Sequence, residues 1–210
     1  MSDETQTELN PAPEPNPRRV FARYDAETVT VYQAFTPAIV KYAAKHGTFG
    51  AGFGLHRMTW IKPSFGWMLH RSEYATAHNQ EAIARITMTR AGFDALLDAA
   101  VLSTYNEPAH GSPERWGTAL RRSPVRCQWD PDRDLRDRKR ERRAIQIGIG
   151  APFVPRYIHE WIVGVEDVTE LAHQIRDAVR AGVKAAELPV VPIETYYPVA
   201  ENVRLSLGCE

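Results

Sequence analysis

The run "TVTVYQAFTPAIVKYAAKHG", residues 28–47, constrains the fold more than any other stretch of the chain. Its first half is β-branched and alternating, which predicts a strand from about Thr28 to Ala34. Its second half places Thr36 as a helix N-cap, Pro37 at the first helical position and Gly47 where a left-handed cap is needed. Ile39, Val40 and Ala43 supply the apolar stripe between those punctuation marks.

The segments that follow are less sharply marked. Gly47, Gly50, Gly52 and Gly54 crowd "GTFGAGFG", but neither a Gly-Lys-Ser/Thr nor a strand–GxGxxG–helix context accompanies them, since "RMTWI" next door reads as a strand. A mobile loop bordering a pocket is one reading of the glycines and a plain linker the other. "QEAIARITMT" alternates as a strand, Thr89 caps a helix carrying Phe93, Leu96, Leu97 and Val101, and Ser112 opens a helix in "SPERWGTALRR". "PVRCQWD" and "RAIQIGIG" read as strands around "DPDRDLRDRKRER", whose mixed charges predict a solvated hairpin loop. "EWIVGV" reads as a buried strand, "TELAHQIRDAVRAG" as an amphipathic helix from a Thr169 cap to a Gly182 stop, and "LPVVPIETYYP" as extended chain. No βαβ rhythm emerges. The expectation is a single α+β domain over residues 20–210, with flanking helices and a mixed or antiparallel sheet that a split could divide. Residues 1–19, acidic and proline-rich, are expected to be a disordered tail.

Composition removes some classes of function. Of the 210 residues, 26 are Lys or Arg and 26 Asp or Glu, so any charged partner must be met by a local patch. Cys127 and Cys209 allow one bridge at most and read as reduced thiols of a cytoplasmic protein. No apolar run is long enough to span a bilayer, so no membrane is expected as a partner. The seven histidines form no HExxH or HxH pair, and no metal is expected.

The chemistry concentrates in "LHRMTWIKPSFGWMLHRSEY", residues 55–74. If "RMTWI" is a strand, Arg57, Thr59 and Ile61 face one way and Met58, Trp60 and Lys62 the other. Trp60 and Lys62 then form a wall with an indole for stacking and an ammonium for an anion. Ser64 either caps the next helix or bonds a ligand oxygen, and in a helix over 65–72 Trp67, His70 and Arg71 lie within a turn. Indole, guanidinium and ammonium together suit a nucleotide. The competing reading makes Trp60, Phe65 and Trp67 core, with the cations reaching out to water.

Taken together, "VYQAFTP", "RMTWIKPSFGWMLHRS", "QWDPDRD", "RAIQIG" and "WIVGVEDVT" resemble domain-of-unknown-function family 4291 from Val20 to about Leu207. A second resemblance, in "VYQAFTPAIVKYAAKHGTF", is to the opening strand and helix of ADP-ribosyltransferase-like domains. It implies NAD as cofactor, with Tyr32 and Gln33 on the strand that holds the ribose. Trp60 and Ser64 fall on its second motif, and Glu160 on its acidic residue at the lip of a late strand. Aromatic walls would stack nicotinamide, and Arg57 or Lys62 would meet the pyrophosphate. On that resemblance Gln33 and Glu160 are the catalytic pair, and Tyr32, Arg57, Trp60, Lys62, Ser64, Trp67 and Arg71 bind the dinucleotide. Two other functions stay open: a nucleic-acid module using the basic run Arg138 to Arg143, and a non-catalytic interaction domain using the Trp-rich stretch. The sequence leaves the oligomeric state open.

Overall fold

Two sheets, joined by a backbone bridge, carry the fold. In the computed structural model, which describes residues 18–209, the first sheet holds β1 (Phe21–Tyr24), β2 (Thr28–Phe35), β4 (Ala82–Thr89), β8 (Ile162–Asp167) and β9 (Thr195–Tyr196). Its order is β8-β4-β2-β1-β9 and its pairings are antiparallel. The second sheet holds β3 (Thr59–Ile61), β5 (Ala100–Leu102), β6 (Val125–Arg133) and β7 (Lys139–Ile149) in the order β3-β7-β6-β5, with β5 parallel to β6. The helices are α1 (Pro37–His46), α2 (Phe65–Arg71), α3 (Arg90–Ala99), α4 (Glu107–His110) and α5 (Pro113–Arg122), then α6 (Val154–Arg156), α7 (Thr169–Arg180) and α8 (Glu201–Ser206). The architecture is a single α+β domain, as its element pattern implies. The proline-rich tail lies outside the described residues, apart from Arg18 and Arg19.

One bridge joins the sheets. Tyr32 N–H donates to the Lys62 carbonyl at 2.7 Å, and Lys62 N–H to the Tyr32 carbonyl at 3.1 Å. Strand alternation then sorts β2 between two cores. Val29 and Val31 enter the larger one with Ile86, Phe93, Leu96, Ile145 and Ile147, while Tyr32 enters a smaller one with Phe65, Met68, Ile83 and Ile175. Each such side chain removed from water contributes about 1.5–3 kcal/mol.

Local signals are obeyed where a side chain can satisfy a helix end. Ser64, Thr89 and Ser112 accept from the backbone N–H groups of Trp67, Gly92 and Arg115, and Gly47 takes φ 74° after α1. Other expectations need correction. The run from Asp130 to Arg142 is mostly strand, because β6 and β7 pair through it from Val125–Ile149 to Arg133–Lys139 and leave a turn only at 134–138. Val101 belongs to β5, since the helix opened by Thr89 ends at Ala99. The strand in "RMTWI" is confined to Thr59–Ile61. "EWIVGV" contributes an edge strand with Val163 57% exposed, and its Glu and Trp lie in a π-helical turn, Tyr157–Trp161. Thr169 caps nothing. Its hydroxyl donates to Asp167 and accepts from Ile83 N–H across the sheet.

Candidate functional site

The seam between the sheets opens into a cleft of about 460 Å³, walled by Gln33, Phe53, Arg57, Met58, Trp60 and Lys62 among others. Its position follows from the local sequence. α1 and the glycine-rich loop after it carry Phe53 and Gly54 to one side, and β3 carries Trp60 to the other. A Cβ at Gly54 would fall 2.8 Å from Arg57 Cδ, so a larger residue there must displace the Arg57 side chain. Of the loop glycines, Gly52 and Gly54 border the cleft, and Gly47 and Gly50 are not in its lining.

Lys62 is the unusual group of the cleft. Its ammonium donates to the Trp60 carbonyl at 3.3 Å and lies 5.4 Å from the centre of the Trp67 ring. Among the described residues it has no ion pair with a carboxylate. Burial, helped by the Arg71 charge and opposed by Asp130, lowers its pKa from 10.5 to about 8. A half-desolvated cation without a carboxylate partner is the kind of group that an anionic ligand stabilises.

Gln33 is buried and fully engaged. Its amide donates to Thr59 Oγ1 at 2.6 Å and to the Trp60 carbonyl at 3.1 Å, and its oxygen accepts from the Tyr157 hydroxyl at 2.8 Å. It ties β2 to β3 and so holds Trp60 in place.

The nine residues singled out from sequence therefore separate. Gln33, Arg57, Trp60 and Lys62 line the cleft. Tyr32 is buried with its ring 4.7 Å from Phe65, and Ser64 is buried with its hydroxyl donating to Asp132 at 2.6 Å. Trp67 is buried beneath Lys62, and Arg71 is exposed outside the lining. Glu160 also stands outside it, 55% exposed, accepting from Arg156 Nε at 3.1 Å. The basic run is partly spent as well. Arg138 pairs with Asp134 at 2.7 Å, and Arg142 joins Asp132 and Glu194, each at 2.6 Å.

That last cluster sets where the cleft's cation stands. Asp132 accepts from Ser64 and Arg142, and Glu194 accepts from Phe65 N–H at 2.7 Å, so β6, β7 and the C-terminal segment converge on the first turn of α2. Burial pushes the Glu194 carboxyl up, against the hydrogen bond from Phe65 and the Arg142 charge. With α2 held at its start, Trp67 lies under Lys62.

Sequence reasoning missed four residues that share the sheet face of Trp60, outside the cleft's own lining. Register places Trp60 opposite Gly148 and Gly148 opposite Arg126, and the next same-face positions are Gln146 opposite Gln128, then Ala144 opposite Asp130. Asp130 accepts from Gln128 Nε2 at 2.9 Å and from Gln146 Nε2 at 2.5 Å. Arg126 Nε is buried with no hydrogen-bond partner among the described residues. Polar residues at every second position of "VRCQWD" were the available signal, hidden by reading the segment as the border of a solvated loop. Among the described residues no three His, Cys, Asp or Glu side chains are grouped to hold a metal ion, and no helix is long and apolar enough to cross a membrane.

Comparison with known proteins adds a family and no activity. No curated protein and no solved structure matches the chain. The model of a domain of unknown function, DUF4291, matches residues 19–197. With most of its length covered by that match, the two-sheet domain built around the Tyr32–Lys62 joint belongs to the DUF4291 family.

Proposed function

We propose that the cleft binds a nucleotide and that the protein is an enzyme acting on it, with ADP-ribosyl transfer from NAD as the reaction to test first. One observation carries the reading: the Lys62 ammonium is half-buried in the cleft wall that Trp60 also lines, over the Trp67 ring, with no carboxylate paired to it among the described residues. A phosphate would supply the missing charge there, Arg57 a second cation at the mouth, and Trp60 a surface for a base or nicotinamide ring.

In such a transfer the bond between the ribose C1′ and the nicotinamide nitrogen breaks, and its electron pair leaves with nicotinamide. An acceptor oxygen or nitrogen bonds C1′ and gives up its proton. Gln33, engaged on all sides, would act in this scheme by positioning Trp60. The reading does not depend on Glu160, which pairs with Arg156 outside the cleft.

Purified protein titrated with NAD, ADP and ATP in a thermal-shift assay tests the reading, together with release of nicotinamide from NAD. A ligand at a hundred times its dissociation constant adds about 2.7 kcal/mol. A saturable shift that Trp60→Ala and Lys62→Met abolish is the expected result. No shift with any nucleotide at millimolar concentration would overturn the binding site. A shift without nicotinamide release would leave the site and remove the transfer.

A further inference from the structure

The polar face of the second sheet has a composition that the nucleotide reading does not by itself require. Lys62, Trp60 and Arg126 are cationic or aromatic, yet a carboxylate shares their face, and its charge reaches Lys62. An anion-binding surface gains nothing from a carboxylate unless the carboxylate meets a different part of the ligand.

The local geometry of Asp130 indicates which part. Each of its oxygens accepts one amide N–H, from Gln128 on its own strand and from Gln146 on the neighbouring one. Two donors on separate strands fix the carboxylate plane, and each oxygen keeps a free acceptor site. No cation is ion-paired with it among the described residues, so it stays available as a bidentate acceptor. A phosphate would be repelled there, and of the common bases only guanine, through N1–H and N2–H, could meet both oxygens, so in an adenine nucleotide the ribose is the group that can. Two adjacent hydroxyl groups match the two oxygens, through charge-assisted O–H donation. The unpaired Arg126 Nε, in the same row as Trp60 and Gly148, marks a second unmet partner at the opposite end of the face.

We propose that Asp130, held by Gln128 and Gln146, receives the 2′,3′-diol of a ribose, so that the cleft selects ribonucleotides over 2′-deoxyribonucleotides. This rests on the nucleotide reading above. A site that uses a buried polar group to bond a hydroxyl rejects the analogue lacking it, because the group is then left without its partner.

The test compares ADP with 2′-deoxy-ADP, by calorimetric titration of the full chain and of Asp130→Asn. The variant is nearly isosteric, and either glutamine can turn its amide to meet the new N–H₂. The parent is expected to bind ADP about tenfold or more tighter than 2′-deoxy-ADP. Asp130→Asn should collapse that ratio towards one, mainly by weakening ADP. Gln146→Met leaves the carboxylate in place but loosens it, and should give an intermediate ratio, which covers the case of a poorly folding Asp130 variant. Equal affinity for the two nucleotides in the parent, or an unchanged ratio in both variants, would overturn the ribose assignment while leaving the nucleotide cleft intact. Binding of neither nucleotide would remove the cleft reading, and the ribose assignment with it.

Discussion

Tyr32 and Lys62 exchange two backbone hydrogen bonds, of 2.7 and 3.1 Å, and this bridge joins the two sheets while setting the Lys62 side chain into the cleft wall. The side chain carries the cost of that placement. Below about pH 8 the ammonium is charged in the folded and the unfolded chain alike, and folding bears the full desolvation penalty. Between about pH 8 and 10.5 the unfolded chain binds more protons than the folded one, so this group's contribution to stability improves as pH rises. Lys62→Met should therefore be more stable than the parent at pH 7, with the gap closing by pH 10, as read from urea melts. In the parent, nucleotide affinity should fall as pH passes 8.

Gly148 lies directly beneath Trp60. A Cβ there would fall 2.7 Å from Met58 Sδ and 2.9 Å from Trp60 Cζ2, so any larger residue must lift the indole off the sheet. Overpacking of this kind costs about 1–3 kcal/mol. Gly148→Ala is expected to lower stability within that range and to weaken nucleotide binding, because the ring leaves the position it presents to the cleft. A destabilised variant with unchanged affinity would show that Trp60 does not touch the ligand.

How far the sequence foretold this arrangement depended on whether a segment's neighbours were local. Pro37 and Gly47 act within one turn of the helix they bound, and α1 forms where they indicate, although the Thr36 side chain at its N-cap makes no capping hydrogen bond. Thr89 does cap its helix, but nothing local marks the end at Ala99, because Val101 leaves the helical pattern to pair with Arg126 on β6. Arg142 was legible only as one charge in a solvated run. Its partners Asp132 and Glu194 are 10 and 52 residues away, and only the folded chain brings them together. The cleft followed the same rule. Trp60 and Lys62 declared themselves within one short stretch of sequence, whereas Asp130, Gln128 and Gln146 become a site only through the register of β6 and β7.

The Arg142 cluster makes a contrast that can be measured. Arg142 is the cation facing two carboxylates, with Asp132 1% and Glu194 13% exposed. Arg142→Ala strands both charges and should cost about 3–5 kcal/mol. Glu194→Gln should cost far less at neutral pH, because burial already disfavours the charged carboxyl and the amide oxygen can still accept from Phe65 N–H. Chemical denaturation of the two variants under one condition reads the difference. Equal losses would mean that the cluster acts through packing around Phe21, whose ring centre lies 4.1 Å from the Arg142 guanidinium, rather than through charge.

Gln33 separates a post from a ligand contact. Gln33→Leu leaves the fully buried Tyr157 hydroxyl without its acceptor and the Thr59 hydroxyl without its donor, while the Trp60 carbonyl keeps the Lys62 ammonium. One orphaned buried group costs about 1–3 kcal/mol. Removing the Tyr157 hydroxyl as well, in Gln33→Leu/Tyr157→Phe, takes away the orphan and should recover part of the loss, which a double-mutant cycle isolates. Nucleotide affinity should fall in step with stability, since Gln33 works through the strand that holds Trp60. Loss of binding in a Gln33→Leu protein that melts like the parent would instead place the amide against the ligand.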